Sequence, residues 1–206
     1  MLAFPETLEV GLDECGRGCL AGPVVAAAVI WDPVWLAQNE HMYPKELALI
    51  KDSKKLSLNN RKKCEAFIQK HAKAWVVKYV SEKVIDETNI LEATFDSMHA
   101  CLNQLYEQED SFDFIAVDGN RFRPWKRKSV PFECFVGGDN LRLSIASASI
   151  LAKVSRDEYM STLPEASVYD WASNKGYGTA KHIRAIQTHG LCDKHRKSFQ
   201  LKSLVN

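Results

Sequence analysis

The pattern of hydrophobic and polar residues predicts strands separated by helices along most of the chain. Residues 8–13 alternate in polarity, and an apolar run at residues 24–31 follows a glycine-rich segment, which predicts two strands joined as a hairpin. Short segments rich in β-branched and aromatic residues predict three more strands, at residues 75–80, 112–117 and 132–136. Strands interleaved with helices indicate an α/β fold, and the hairpin start indicates a mixed sheet.

Four stretches have the spacing and end signals of helices. Ser57 is a favourable N-cap for a helix that runs to about residue 72. Apolar residues recur at helical spacing from residue 90 or 91 to Leu105, which predicts an amphipathic helix with one buried face. Residues 145–160 predict a helix of small side chains packed closely on the sheet. A last helix is predicted between Thr179 as N-cap and Gly190 as C′ residue.

The size of the chain bounds its organisation. With 206 residues, 46% of them hydrophobic, it can form one sizeable core but is short for two independent domains. After Pro164 the sequence becomes polar and basic, so we expect a core at residues 1–164 and a basic helical extension at residues 165–206 of the same folding unit. No apolar run reaches the roughly 18 residues of a membrane span, and residues 1–6 lack the features of a secretory signal. A cytoplasmic protein without membrane contact is expected.

Cysteines and net charge exclude some classes of protein and leave others open. The six cysteines are scattered and form no C-x-x-C pair, which predicts reduced thiols and argues against a structural zinc site. The net charge of +1 does not by itself indicate a polyanionic partner. Basic residues nevertheless cluster at residues 51–63, at residues 121–128 and from residue 173 to the end. Each cluster is compatible with phosphate contacts, and ordinary solvated surface is the alternative.

Three aspartates are predicted beyond the C-terminal ends of strands, where open α/β sheets bind ligands: Asp13, Asp118 and Asp139. Glu14 follows Asp13 directly, and neighbours in a continuing strand point to opposite faces, so both reach one site only if the chain turns there. The glycines at residues 16 and 18 allow such a turn. Converging carboxylates suit hard divalent cations, which catalyse phosphodiester hydrolysis. A simple turn-forming role is the alternative for each aspartate.

Six segments, in the same order along the chain, resemble the ribonuclease HII family, the bacterial type 2 ribonucleases H. They are Gly-Leu-Asp-Glu-Cys-Gly-Arg-Gly at 11–18 with Leu-Ala-Gly-Pro-Val-Val at 20–25, Asp-Ser-Lys-Lys-Leu-Ser at 52–57, Ile-Asp-Glu-Thr-Asn-Ile at 85–90, Val-Asp-Gly-Asn at 117–120, Ala-Ser-Ile-Leu-Ala-Lys-Val-Ser-Arg-Asp at 148–157 and Lys-Gly-Tyr-Gly-Thr at 175–179. The resemblance implies a ribonuclease H-like α/β fold, a mixed β-sheet flanked by helices, with a catalytic core at residues 1–164 and a C-terminal helical extension that helps to hold the substrate.

The implied activity is that of an endonuclease that hydrolyses the RNA strand of RNA–DNA hybrids. The family also nicks DNA 5′ of embedded ribonucleotides, leaves a 3′-hydroxyl and a 5′-phosphate, and so serves ribonucleotide removal in DNA repair and replication. The metal-site carboxylates that match the family are Asp13, Glu14, Asp118 and Asp139, which would hold Mn²⁺ or Mg²⁺, two ions when substrate is bound. Asp157 is the alternative to Asp139. It ranks second because it lies in a predicted helix, where an ion pair with Arg156 or a structural role is expected.

The resemblance also implies how the substrate is recognised. The backbone of Gly16, Arg17 and Gly18 would contact the 2′-hydroxyl that distinguishes RNA from DNA, since a missing Cβ permits close approach to the sugar. Tyr177 matches the family tyrosine that packs on the deoxyribose beside the junction. Four further residues match positions near the nucleic-acid backbone or the site: Lys54, Asn89, Ser149 and Lys153. The chain departs from the family at Cys15 and Cys19, and a thiol near the site suggests sensitivity to oxidation.

The expected partners are RNA–DNA hybrid and ribonucleotide-containing duplex DNA, and the expected state is a monomer. The Gly-Arg-Gly element, and the lack of a long N-terminal substrate-binding domain, favour type HII over type HIII. A sliding-clamp contact, the choice between Mn²⁺ and Mg²⁺ and the role of residues 121–128 stay open. Three alternatives remain: another nuclease of this fold, such as a Holliday-junction resolvase or an integrase, a catalytically silent hybrid-binding module, and a dinucleotide-binding enzyme. The last is disfavoured because the third glycine of its motif is missing.

Overall fold

The computed structural model describes residues 2–51, 56–109 and 111–199, which form one mixed five-stranded sheet with flanking helices. The strands are β1 (Glu9–Cys15), β2 (Val24–Ile30), β3 (Ala74–Val80), β4 (Phe114–Asp118) and β5 (Phe132–Phe135), and their order across the sheet is β3-β2-β1-β4-β5. β2 pairs antiparallel with β1 and β3, whereas β4 pairs parallel with β1 and β5. The predicted hairpin start and mixed sheet are confirmed.

The helices of the described residues are α1 (Pro33–Asn39), α2 (Pro44–Leu49), α3 (Leu58–His71), α4 (Glu82–Glu87), α5 (Ile90–Glu109), α6 (Leu143–Thr162), α7 (Trp171–Asn174) and α8 (Ala180–His189). The four longest, α3, α5, α6 and α8, are the predicted ones. Ser57 and Thr179 cap α3 and α8 as expected, since their hydroxyls accept from the backbone N–H groups of Asn60 and His182. None of the described helices is long and apolar enough to cross a membrane.

The sheet separates two apolar layers. Ala27 and Val29 of β2 face α6 and α3, and their neighbours Ala26 and Ala28 face α5. This alternation follows from the period of two in a strand, and it applies equally to β1. Every residue of β2 is buried, because helices cover both faces of this strand. The face that a β1 side chain occupies therefore decides which helix it meets.

The close approach of α6 to β1 depends on Gly11. A Cβ at this position would overlap the backbone of Ser144 and Ile145 at the start of α6. We expect Gly11→Ala to lower the free energy of unfolding by about 1–3 kcal/mol, the usual cost of forcing an extra carbon into a packed core. Urea titration would measure this change. Gly18→Ala is the matched control, since nothing lies within 4 Å of a Cβ there. Equal stability of both variants would contradict the described packing.

The basic segment at residues 121–128 packs on α5. Arg123 forms ion pairs with Glu92 and Asp96, and Arg127 lies 2.9 Å from a carboxylate oxygen of Glu107. Trp125 between them is buried, and its ring stacks on Phe112 with centroids 5.4 Å apart. Acidic residues of α5 thus offset these two arginine charges, which gives the segment a structural role that the sequence pattern did not indicate.

The C-terminal extension packs on the end of α6 through a third apolar cluster. Trp171 and Ile186 of the extension contact Met160 of α6 and Ala21 of the β1–β2 connection. Its helices α7 and α8 therefore lie against the segment that joins the first two strands. That segment contains the Gly-Arg-Gly element, so the extension supports a part of the chain that was implicated in substrate recognition.

Candidate active site

Asp13 and Asp118 lie side by side at the end of two neighbouring parallel strands. Leu12 of β1 is in register with Val117 of β4, so the next residue of each strand is an aspartate on the α6 face. Asp13 is only 5% exposed. Burial raises the pKa of Asp13 well above its usual value, and the negative charges of Glu14 and Asp118 raise it further. A hydrogen bond from Ser149 on α6 opposes this shift. The aspartates are therefore close enough to interact.

Glu14 lies in β1 itself, because pairing of β1 with β2 continues to Cys15. The turn that the glycines allow comes after it, where the Cys19 N–H approaches the Gly16 carbonyl at 3.5 Å. Glu14 consequently projects from the strand face opposite to Asp13. Both residues nevertheless line one cavity, since they are at the end of the strand. Arg17 Nη1 lies 3.4 Å from Glu14 Oε1 and adds a positive charge there.

Asp139 is connected to Asp118 through the backbone of Gly138. β5 is followed by a 3₁₀ helix at Gly138–Asn140, and the Gly138 N–H donates a 2.7 Å hydrogen bond to Asp118 Oδ1. A Cβ on Gly138 would lie 2.6 Å from Ile145 Cδ1, so a side chain there would require Ile145 to shift. Asp139 is 6% exposed and accepts a 2.8 Å hydrogen bond from Asn140 Nδ2. Asp139 thus directly follows Gly138, the residue whose N–H orients Asp118.

Asp157, the alternative fourth carboxylate, lies farther along α6. Its Oδ1 is 2.7 Å from Lys153 Nζ, an ion pair one turn apart. The expected ion pair with Arg156 is wrong, because the Arg156 guanidinium donates to the backbone carbonyl oxygens of Ala21, Pro23 and Lys175 instead. Asp157 shares a helix face with Ser149 but follows it by eight residues, about 12 Å along the axis. This spacing favours Asp139 over Asp157.

A cavity of about 450 Å³ opens beside Asp13. Eight predicted site residues line it, together with Cys15 and Arg61: Asp13, Glu14, Gly16, Arg17, Gly18, Ser149, Lys153 and Tyr177. The predicted carboxylates Asp118, Asp139 and Asp157 are not among the described residues of the lining. The acids Asp13 and Glu14 share this lining with three cations, Arg17, Arg61 and Lys153. An anionic ligand could therefore contact cations while part of it reaches the carboxylates.

Tyr177 is held by its backbone while its ring stays 40% exposed. Trp171 Nε1–H donates to His182 Nε2 at 3.0 Å, which leaves the proton of His182 on Nδ1. That N–H donates to the Tyr177 carbonyl at 2.9 Å. The Lys153 ammonium lies 5.9 Å from the centroid of the Tyr177 ring. The fold therefore fixes an aromatic ring and a cation beside the acids.

One predicted substrate contact, Asn89, is not among the residues that line this cavity. Asn89 instead caps α5, since its Oδ1 accepts hydrogen bonds from the N–H groups of Leu91 and Glu92 at 2.9 and 3.0 Å. Lys54 lies outside the described residues. Cys15 does line the cavity, but burial raises the pKa of its thiol to about 11. The protonated thiol is a poor nucleophile at neutral pH, which argues against the expected sensitivity to oxidation.

Two arginines that serve this region, Arg61 and Arg196, were predicted only as members of basic clusters compatible with phosphate contacts. Arg61 lines the cavity from α3, and only the packing of α3 against α6 brings it there. Arg196 near the C-terminus is 2% exposed and donates to carbonyl oxygens of the Gly-Arg-Gly turn. Its assignment to a surface patch of phosphate-binding residues was wrong. The C-terminal segment has no hydrophobic periodicity. Its sequence therefore does not distinguish a buried arginine from an exposed one.

The carboxylates of the site are chemically suited to bind a hard divalent cation. Within the described ranges, no three His, Cys, Asp or Glu side chains are arranged closely enough to hold an ion. A buried carboxylate, Asp13, is however repelled by the charges of Glu14 and Asp118. A cation bound among these oxygens would remove that repulsion. Asp13, Glu14 and Asp118 could therefore supply oxygen ligands to a cation.

Comparison with known proteins gives consistent matches. The family model described as Ribonuclease HII matches residues 10–202. Ribonuclease HII of Parabacteroides distasonis is 45% identical over 204 residues, covering 98% of this chain and 95% of its own length. RNase HII of Archaeoglobus fulgidus, solved in complex with PCNA, superposes with a TM-score of 0.70 at 24% identity, covering 95% of this chain and 96% of its own. Bst-RNase HIII, solved in complex with Mn²⁺, gives 0.66 at 22% identity, covering 89% and 63%.

Proposed function

Because the chain belongs to the ribonuclease HII family, we propose that the cavity beside Asp13 is its active site. The protein is a ribonuclease H, an endonuclease that hydrolyses the RNA strand of RNA–DNA hybrids and nicks DNA 5′ of embedded ribonucleotides. The observation that carries the assignment of the site is the position of Asp13 and Asp118 at the ends of adjacent parallel strands.

Four carboxylates of this chain hold the divalent cation that the reaction needs: Asp13, Glu14, Asp118 and Asp139. We propose Mg²⁺ or Mn²⁺, two ions when substrate is bound. Such ions activate water and offset the charge that develops on the leaving oxygen. The protein orients their ligands, since Ser149 hydrogen bonds to Asp13 and the Gly138 N–H binds Asp118. Fixed ligands of this kind reduce the reorganisation needed when an ion binds.

Recognition of the ribonucleotide is assigned to the turn at Gly16, Arg17 and Gly18. Arg17 and Gly18 are exposed at the cavity, so their peptide groups are accessible to a sugar. Close contact between a backbone and a 2′-hydroxyl needs a residue without a Cβ. Gly18 meets this need because the space around its Cα is open. Gly16 is glycine for another reason, as its φ of +98° and its contact with Arg156 exclude a side chain.

We expect alanine to have different effects at Gly18 and at Gly16. Gly18→Ala should leave stability unchanged or raise it by about 0.4–1 kcal/mol, because its backbone is compatible with alanine. The added methyl should still weaken cleavage at a single ribonucleotide by about tenfold, the effect of about 1.4 kcal/mol of lost contact. Gly16→Ala should instead lower the melting temperature. Thermal unfolding and cleavage rates measure both effects, and full activity of Gly18→Ala would argue against backbone recognition at this turn.

Phosphate contacts are assigned to the cations of the cavity. Lys153 is held by Asp157 beside Tyr177, so its ammonium is at a fixed position when a strand binds. Lys54 and Asn89 stay proposals at lower rank, since Asn89 caps a helix and lies away from the cavity lining. We divide the chain into a catalytic core at residues 1–164 and an extension at residues 165–206 that supports the recognition turn from behind, within one folding unit.

Two further assignments concern the oligomeric state, a monomer, and a contact with a sliding clamp. We propose that the protein acts as a monomer. The complex of the Archaeoglobus enzyme with PCNA supports a contact between this chain and a sliding clamp. Light scattering of the purified protein, with and without a clamp, tests both assignments.

An end-labelled RNA–DNA hybrid tests the proposed site and its products. Cleavage should require a divalent cation, stop on addition of a chelator, and leave 3′-hydroxyl ends that a DNA polymerase can extend. Products with a 3′-phosphate, or cleavage that persists in the chelator, would contradict catalysis by these carboxylates.

A further inference from the structure

Arg196 is buried at the back of the recognition turn. Its Nη2 donates to the Gly16 carbonyl at 2.7 Å, its Nη1 to the Arg17 carbonyl at 2.9 Å, and its Nε to the Gly22 carbonyl at 2.9 Å. The side chain is 2% exposed and therefore has no room for a phosphate. All three guanidinium nitrogens therefore bind the backbone of the β1–β2 connection.

The direction of these carbonyls determines the direction of the next N–H groups. In a trans peptide the C=O and the following N–H point to opposite sides, and the described chain contains no cis peptide. Because Arg196 binds the carbonyls of Gly16 and Arg17, the N–H groups of Arg17 and Gly18 point away from it. Both residues are exposed and line the cavity. Among the hydrogen bonds between described residues, none uses either N–H as donor.

Resting on the function proposed above, we propose that Arg196 is a positioning residue for ribonucleotide recognition. It holds two consecutive peptides so that the N–H groups of Arg17 and Gly18 converge on the 2′-oxygen of the substrate. Arginine suits this task because its planar guanidinium presents several donors in a fixed fork. A lysine ammonium could not bind three carbonyls in the same plane.

Arg196 is itself placed by contacts between the C-terminal segment and α4. Lys194 lies 3.2 Å from the buried Glu82, and the Asp86 carboxylate accepts from the N–H groups of Lys197 and Ser198 at 2.9 Å. The Arg196 N–H also donates to the Leu20 carbonyl at 2.8 Å. These contacts fix the backbone on both sides of Arg196. The side chain can therefore reach the turn in only one direction.

Arg156 provides an internal comparison. It is equally buried and donates to the carbonyls of Ala21, Pro23 and Lys175. The N–H groups that follow two of these carbonyls are used within the protein, however. Gly22 N–H donates to the Lys194 carbonyl and Gly176 N–H to Asn174 Oδ1, both at 2.8 Å. Arg156 also packs against Gly16, but it binds neither of the carbonyls that orient the Arg17 and Gly18 N–H groups. Its loss should thus destabilise the fold while Arg196 still holds those two donors.

The test compares two duplexes, one with a single ribonucleotide and one of the same sequence in DNA only. Binding is measured in an Asp118→Asn background, so that the ribonucleotide is not cleaved. Arg196→Lys should reduce the preference for the ribonucleotide by about tenfold, the effect of losing a well-placed hydrogen bond, and leave binding of the DNA duplex unchanged. Arg156→Lys should keep the preference even if its melting temperature falls further.

The proposal would be overturned if folded Arg196→Lys kept the full preference for the ribonucleotide duplex. It would also be overturned if Arg196→Lys and Arg156→Lys lost this preference to the same extent. If Arg196→Lys does not fold, backbone amide NMR of the Asp118→Asn protein with Arg196 intact decides. The Arg17 and Gly18 resonances should shift with the ribonucleotide duplex and not with the DNA duplex, and absence of that difference overturns the proposal. Failure of the proposed function is distinct, because the unmodified protein would then cleave neither hybrid nor ribonucleotide-containing DNA.

Discussion

Replacing Asp118 by asparagine should abolish metal-dependent cleavage in a protein that still folds. Asparagine keeps the shape of the side chain, and its amide oxygen can still accept the hydrogen bond from the Gly138 N–H. It lacks the negative charge that attracts a divalent cation. Loss of groups that merely orient metal ligands costs about 10–100-fold, so loss of a ligand should lower the rate by more than about a hundredfold.

The matched control is Asp113→Asn, just before the other end of the same strand. Asp113 is exposed, and its carboxylate accepts a 3.1 Å hydrogen bond from the Leu8 N–H, far from the carboxyl end of β4. This variant should cleave at the normal rate. Initial rates on a hybrid substrate, together with melting temperatures, measure both. Near-normal activity of folded Asp118→Asn would refute the assignment of the site.

Removal of the Tyr177 ring should have the second largest effect. We expect Tyr177→Ala to slow cleavage of DNA with a single ribonucleotide by about tenfold to a hundredfold, by analogy with the 1–3 kcal/mol of an aromatic stacking contact. The ring is 40% exposed at the cavity, and its loss should not disturb the carboxylates. A continuous RNA–DNA hybrid should be affected less, because no deoxyribose lies beside the cut in its RNA strand.

Tyr177→Phe separates the ring from its hydroxyl. The hydroxyl interacts with Cys19 behind the cavity, whereas the ring faces outward. The phenylalanine variant should therefore keep most of the activity on both substrates. Equal losses of Tyr177→Ala on the two substrates, measured as kcat and KM separately, would show that the residue has no role in sensing the junction.

The long elements were predictable because their patterns are local. β1 has alternating polarity, β2 is a continuous apolar run, and α3 and α8 begin after the capping residues Ser57 and Thr179. Helices α1, α2, α4 and α7 have four to seven residues, too few for a helical period to emerge. The start of α1 had a local signal in Asp32 followed by Pro33, which was overlooked.

Site residues at the ends of strands were predictable from the sequence. Site residues that are placed by tertiary contacts were not. Asp13 and Asp118 follow from the rule that ligands bind beyond the ends of parallel strands. The pair of Lys153 and Asp157 could have been expected from its i,i+4 spacing. Arg196 could not, because its partners are carbonyls about 180 residues earlier in the chain, and no side-chain pattern marks a carbonyl as an acceptor.

Cleavage of a DNA duplex that carries one ribonucleotide, measured with Mg²⁺, with Mn²⁺ and with a chelator, tests the proposed activity most directly. We expect a single nick 5′ of the ribonucleotide, present with at least one of the two ions and absent with the chelator. The same duplex made only of DNA should not be cleaved. An intact ribonucleotide-containing strand with both ions, or equal cleavage of the two duplexes, would contradict the proposed activity.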